Sequence, residues 1–289
     1  MASEQTIYVT STASSDIFSN NTPSSFSNRL GTPIVLDSNV EHEIGLVSIL
    51  YPNQYYAIKQ GDGAYSISIN TFFKKDVGGR WTHNYIVKKD ILAGDLKKLV
   101  KIINQDLMVY MLVYFGEDRY RDIFAKDSVM KWNDTEEKVE LVYVVQKRRR
   151  GKKKNPPLAE DIENVNVTFS RDLALLLGFK ANHTYPIYGA DNQYNIMSDI
   201  SLSPNCGVDY VYLYTDVIQP THFGGGLVNI LHTFALENGG NKGIYNTIYK
   251  PLNSHFIDQI SILITDQNGN KIHFKKGSTV TCVLHIRQK

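Results

Sequence analysis

The sequence predicts an all-β protein, an antiparallel sandwich or barrel carrying short helical insertions. Three observations lead there. Apolar residues recur with a period of two in segment after segment, the signature of half-buried strands. Aromatics are plentiful, with 18 Tyr and 12 Phe among 289 residues, and β-branched residues accompany them, which suits a pleated surface. Neither a repeat period nor a βαβ alternation is present, so a parallel sheet is not expected.

The elements follow in order. TIYVTST (6–12) is the first strand. EIGLVSILYP (43–52) reads as a buried strand stopped by Pro52, and AYSISINTFF (64–73) alternates apolar and polar residues cleanly. THNYIVKKD (82–90) is a further strand. A helix is expected over about 94–109, because Leu96, Leu99, Val100, Ile103 and Leu107 form one stripe at helical spacing, with Asp95 as N-cap. That stripe is read as core packing rather than as a partner-binding face. KVELVYVVQ (138–146) and NVNVTFS (164–170) are strands, and RDLALLLGF (171–179) is a short helix, capped by Ser170 or Asp172 and ended by Gly178. The last third returns to sheet at 208–218, 226–236, 257–266 and 278–288. Between Ile264 and Ile272 lies DQNGN, whose Asn-Gly pair is a strong hairpin signal. In the final strand Val280, Cys282, Leu284 and Ile286 alternate with Thr281, Val283 and His285, so that one face is wholly apolar and belongs in the core.

The composition argues against several classes. Cys206 and Cys282 are far apart and form no C-x-x-C, so neither a disulfide framework nor a zinc site is expected, and a reducing compartment fits. The N-terminus lacks the pattern of a signal peptide and no apolar run is long enough to span a membrane, so neither secretion nor membrane insertion is expected. Gly224-Gly225-Gly226 lacks the Lys-Ser/Thr of a phosphate loop and reads as a turn. Asp266, Asn268 and Asn270 mimic the start of a calcium loop, but the turn glycine is misplaced and no Glu closes the site. His273 and His285 are expected on strands facing each other across a terminal hairpin, a spacing for a metal pair or, more simply, for hydrogen-bonded or solvent-facing imidazoles. No nucleophile motif occurs. The chain is therefore read as a non-enzyme without metal or cofactor.

One segment stands apart. Lys147, Arg148, Arg149, Arg150, Lys152, Lys153 and Lys154 put seven cations into eight positions. Without them the formal net charge of +2 becomes −5, so the positive charge is a local tract and not a nucleic-acid-coating face. With Gly151 and Pro156-Pro157 it reads as an exposed basic loop over 147–157, joining two antiparallel neighbours. Its candidate uses are a nuclear address, weak contact with packaged DNA, and plain solvation.

Four blocks carry a resemblance. IYVTSTASSDIFSNNTPSSFSNRLGTPIVLDSNVEHEIGLVSILYP opens the chain, LLGF follows a strand, YVYLYTDVIQPTHFGGGLVNIL has a Tyr-Thr-Asp core, and DQISILITDQNGNKIHFKKGSTVTCVLHIRQK ends it. In order and spacing they resemble the minor capsid (penton) proteins of Maverick/Polinton elements and the related adintoviruses. The resemblance implies a single jelly-roll antiparallel sandwich over residues 1–289, with the two helices and the basic loop as insertions. It implies a homopentamer at icosahedral vertices, and as partners further copies of itself and the major capsid protein of the same virus or element. It also implies location in the virion, with assembly in the host nucleus or cytoplasm. Length agrees with one jelly roll, since two would need about sixteen strands. The contact surfaces expected for such a ring are the Asn- and Ser-rich segment 14–28 and the Tyr-rich segment 185–214, both long and poor in charge. Two other classes compete: a nucleic-acid-binding module using the basic run, which has no interleaved aromatics for stacking, and a receptor- or glycan-binding β-sandwich using the tyrosines of 185–214.

Overall fold

The computed structural model describes residues 4–58, 65–73, 79–87, 90–93, 96–115, 129–142, 162–189, 192–193, 195–201, 208–236, 241–244 and 246–289. They cluster into two compact units, Met1–Tyr56 with Val208–Lys289, and Ala57–Gly207.

The first unit begins with β1 (Gln5–Thr10), whose alternation buries Ile7 and Val9 and exposes Tyr8. In β2 (Ser25–Val35), Phe26 and Asn28 are buried between half-buried serines. Its pairing shifts between Arg29 and Ile34, where Pro33 withholds a ladder donor. β3 (His42–Leu50) buries Ile44, Leu46 and Ile49, with a bulge at Val47.

The middle of the chain builds a core of its own. In chain order come β4 (Tyr56–Ile58), β5 (Ser66–Phe73), β6 (Arg80–Ile86), β7 (Ile91–Leu92), α1 (Leu96–Phe115), β8 (Val129–Asn133), β9 (Lys138–Val142), β10 (Ile162–Phe169), α2 (Arg171–Leu176), β11 (Thr184–Gly189), β12 (Asn192–Gln193) and β13 (Asn195–Met197). One antiparallel sheet runs β12-β11-β10-β5-β6 and a second β13-β9-β8, while β4 pairs with β7. Ile67, Ile69, Val165, Val167, Leu173 and Leu177 are wholly buried in this core. Helix α1 contributes Leu99, Val100 and Ile103 as its apolar stripe predicts, and it continues past the expected end at 109 to Phe115. The Asp95 cap lies outside the described residues.

Ser170 occupies the N-cap position of α2, yet its hydroxyl accepts from the Ser66 N–H of β5 (2.9 Å) instead of capping the helix. Gly178 ends that helix at φ +75°. A Cβ there would sit 2.4 Å from the Ile200 carbonyl oxygen, so glycine is required twice over.

The basic run 147–154 lies outside the described residues, but its flanks correct the hairpin expectation. Strand β9 pairs with β8 and β13, and β10 pairs with β5 and β11, so the run joins strands of different sheets. Loop closure explains the choice. β9 finds β8 through a short turn, in which Asn133 Oδ1 accepts from the N–H groups of Thr135 (3.0 Å) and Glu136 (3.1 Å). That tight hairpin costs less entropy than closing a long basic loop.

The first unit resumes with β14 (Val211–Thr215), β15 (Thr221–Phe223), β16 (Gly226–Val228), β17 (Ile230–Phe234), β18 (Asn241–Gly243), β19 (Tyr249–Pro251), β20 (Phe256–Asp266) and β21 (Thr281–Gln288). The strand expected over 226–236 is two, because the chain leaves the β15–β16 hairpin at Asn229, and the Asn229 amide donates to the Ile218 carbonyl (3.0 Å).

Two sheets result, β1-β21-β3-β18 with β19 also on β3, and β17-β14-β20-β2. If β18 and β19 count as one interrupted strand and the β15–β16 hairpin is set aside, the order is first, eighth, third, sixth in one sheet. In the other it is fifth, fourth, seventh, second. This is the double Greek key of a jelly roll. The protein is all-β and antiparallel in its sheets, with residues 57–207 inserted in the chain between the third and fourth strands of the roll.

The DQNGN turn forms as expected, with Gly269 at φ +82° and Asp266 Oδ1 accepting from the N–H groups of Asn268 (2.8 Å) and Asn270 (2.9 Å). Its carboxylate thus serves the turn. Beyond the Thr265–Lys271 bridge, however, β20 and β21 part into different sheets.

Candidate assembly surface

The outer face of the β1-β21-β3 sheet is the surface that alternation turns away from the core. Tyr8 (69% exposed) lies opposite Val283, which lies opposite Ser48. Val47, pushed out by the bulge, and Leu50 are also exposed. This is an apolar patch on a sheet face, the kind of surface that marks contact with another protein.

Beside it runs a charged and aromatic ladder. Gly45 in β3 pairs with His285 on one side and Tyr249 on the other. A Cβ at Gly45 would come within 2.4 Å of Thr247 Cγ2 and 3.2 Å of Tyr249 Cδ1, so the glycine makes room for this strand and its ring. The Tyr249 hydroxyl and His285 Nδ1 are 2.9 Å apart, and His285 Nε2 lies 3.9 Å from Glu4 Oε2. Arg287 stacks 3.6 Å over the Tyr249 ring and donates from Nε to Glu43 Oε1 at 2.6 Å.

His285 therefore does not face His273 across a hairpin. Its partners lie on Tyr249 and Glu4, because β21 pairs with β1 and β3 instead of with the strand that precedes it. Among the described residues no group of three or more His, Cys, Asp or Glu is arranged to hold a metal ion. No helix among them is long and apolar enough to cross a membrane.

A second exposed apolar element is the β15–β16 hairpin. Gly224 turns it at φ +57°, Phe223 and Leu227 are exposed, and Phe223 meets Tyr212 edge-on at 5.4 Å.

Segment 14–28 is a hydrogen-bonded loop leading into β2. The Asn21 amide donates to the carbonyls of Ala13 (3.2 Å) and Ser27 (2.9 Å) and accepts from the Ser27 N–H (2.9 Å). Asn28 ties the loop's base to Thr10. With Tyr214, Asp216, Ser261 and Leu263 the loop walls a groove of about 480 Å³. The two segments expected to form contacts thus meet in part, since Tyr214 closes the Tyr-rich stretch. In the rest of that stretch Tyr185 is buried and accepts from the Lys180 N–H (2.8 Å), which makes it structural. Cys206 and the basic run fall outside the described residues.

Sequence reasoning missed Asn28, Gly45 and the Tyr249–Arg287–Glu43 ladder. Asn28 carried a signal, an amide in phase with the inward Phe26. The ladder carried none, because its members are joined by strand pairing across most of the chain.

No family model matches the chain, and no curated protein sequence matches it. Among solved structures it is similar to the crystal structure of the selenomethionine-labelled mavirus penton protein. Identity is 11% and the TM-score 0.50, over 99% of this chain and 100% of that one. The likeness is one of fold, and it runs from end to end of both chains.

Proposed function

We propose that this chain is a structural virion protein, a penton-type minor capsid protein of the kind its sequence blocks resemble, acting as a homopentamer at icosahedral vertices. One observation carries the proposal: a jelly-roll strand order in a chain whose fold is similar to that of a viral penton over the full length of both. A ring of identical subunits needs heterologous sides that close after a whole number of steps. The exposed Tyr8, Val47 and Leu50 with half-buried Val283 between them, and the Phe223–Leu227 hairpin, supply two unlike apolar sides on one chain. Partners are other copies of the chain and the major capsid protein of the same particle. The location is the virion, after assembly in the host nucleus or cytoplasm.

Light-scattering mass over a range of concentrations, with negative-stain imaging, tests the ring. The expected result is a five-fold particle of five 32.8 kDa chains. A stable trimer, or a monomer at every concentration with no ring, overturns it.

For the basic run we propose a nuclear address. Seven cations in eight positions present a dense, sequence-local charge that needs no folded scaffold. Residues 145–157 fused to a cytosolic reporter should carry it into the nucleus. A reporter that stays cytosolic, together with heparin retention that depends on the run, would assign it to packaged DNA instead.

A further inference from the structure

We propose that the groove between loop 17–21 and the outer face of β2, β20 and β14 is a binding site for a neutral saccharide. Its volume, about 480 Å³, falls within the usual range of small-ligand sites. Apolar surface comes from Ile17, Phe18, Tyr214 and Leu263, and polar groups from Asn20, Ser25 and Asp216. A sugar ring is amphipathic in the same way, with C–H faces that pack on aromatic or aliphatic surface and hydroxyls that need donors and acceptors at the edge.

Charge narrows the ligand class. The lining contains no Lys, Arg or His, and its one ionisable acid is Asp216. An anionic sugar, a phosphate or a nucleic acid would meet a carboxylate with no countercharge. A purely apolar ligand would strand the amide, hydroxyl and carboxylate groups.

The polar groups divide into those that build the wall and those left over. Asn21 is fully engaged in holding the loop, and Asp216 Oδ1 accepts from the Ser261 N–H at 2.8 Å. The Tyr214 hydroxyl, the Asn20 amide and Asp216 Oδ2 make no hydrogen bond to any described residue. Strand alternation sets Tyr214 on the outer face, opposite the buried Leu213 and Thr215 and beside Leu263 and Ser25. The Ser261 N–H holds the Asp216 carboxylate and the strand positions Tyr214, so these two groups need little further ordering on binding.

Saturation-transfer NMR on the full chain, with the methyl glycosides of glucose, galactose, mannose and N-acetylglucosamine and with N-acetylneuraminic acid as the anionic control, tests this. At least one neutral glycoside is expected to bind, with Kd of about 1 mM. Asp216→Asn keeps the acceptor for Ser261 and should weaken binding about tenfold. Tyr214→Ala should abolish it while the melting temperature holds. Absence of a signal from every neutral glycoside overturns the proposal, as does equal binding by both variants or preference for the acidic sugar. Binding seen in dissociated chains and lost on assembly, with a lower assembly mass for Asp216→Asn, would make the groove a subunit contact and also overturn it. The mass measurement alone bears on the ring, so the two proposals fail separately.

Discussion

Asn28, a buried residue of β2, clasps the backbone of Thr10 at the end of β1. Its Oδ1 accepts from the Thr10 N–H at 2.7 Å and its Nδ2 donates to the Thr10 carbonyl at 2.9 Å. One side chain thereby acts as a ladder rung between two strands that belong to different sheets. Asn28→Ala removes both bonds; the Thr10 carbonyl still accepts from the Ala13 N–H (3.2 Å), so the Thr10 N–H is the group left unsatisfied, a loss of about 1–3 kcal/mol. Asn28→Asp keeps the acceptor for the Thr10 N–H but sets a buried carboxylate oxygen against the Thr10 carbonyl, so it should lose at least as much. Urea unfolding midpoints, compared at constant m-value, check the order.

Truncation at Gly277 removes β21, which lies between β1 and β3. Val280, Cys282, Leu284 and Ile286 are all 0% exposed, as the sequence alternation predicts. Each such side chain stabilises by about 1.5–3 kcal/mol, and a whole domain by about 5–15 kcal/mol. The truncated chain should lose the cooperative unfolding of the jelly-roll unit. A soluble product melting at the full-length temperature would contradict the placement of this strand.

At Gly178 a side chain meets both a positive φ and the Ile200 carbonyl at 2.4 Å. Gly178→Ala should destabilise its unit by about 1–3 kcal/mol. Gly225→Ala, where an added methyl group meets nothing within 4 Å, should change the melting temperature little. Calorimetry of the pair separates local strain from a general intolerance of substitution.

Burial holds the His83 imidazole below its ordinary value, and burial with nearby Lys242 does the same to His232. A depressed folded value means that the unfolded chain takes up protons first. The stabilisation is therefore complete above the ordinary histidine value of about 6.5 and is lost as pH falls through the folded value. Chemical-denaturation midpoints should fall between pH 7.5 and 5.5, and fall less in a His83→Gln variant. A profile identical for the two proteins would show that His83 does not drive the transition.

Cys282 is buried, and burial pushes its thiol well above the ordinary range. Since the thiolate is the reactive form, a Cys206→Ser chain should resist Ellman's reagent when native and react once when unfolded. Rapid labelling under native conditions would place the thiol at the surface.

Sequence alone determined which residues face inward within a strand and where turns fall. Strand alternation at Ser66–Asn70 and Val280–Ile286, the stripe at Leu99–Ile103, the Gly178 stop and the DQNGN turn are local properties, set within a few residues by side-chain period and backbone preference. Tertiary structure decided which strand pairs with which. Backbone ladders use the same N–H and C=O groups at every position, so a strand's sequence names its buried face but not its neighbour. That is why β21 lies between β1 and β3 and not beside β20, why the basic run's flanking strands enter different sheets, and why residues 57–207 form a core of their own. The groove is legible only after folding for the same reason. Phe18, Tyr214 and Leu263 become neighbours through the β2–β20 and β14–β20 registers, pairings that long-range burial selects.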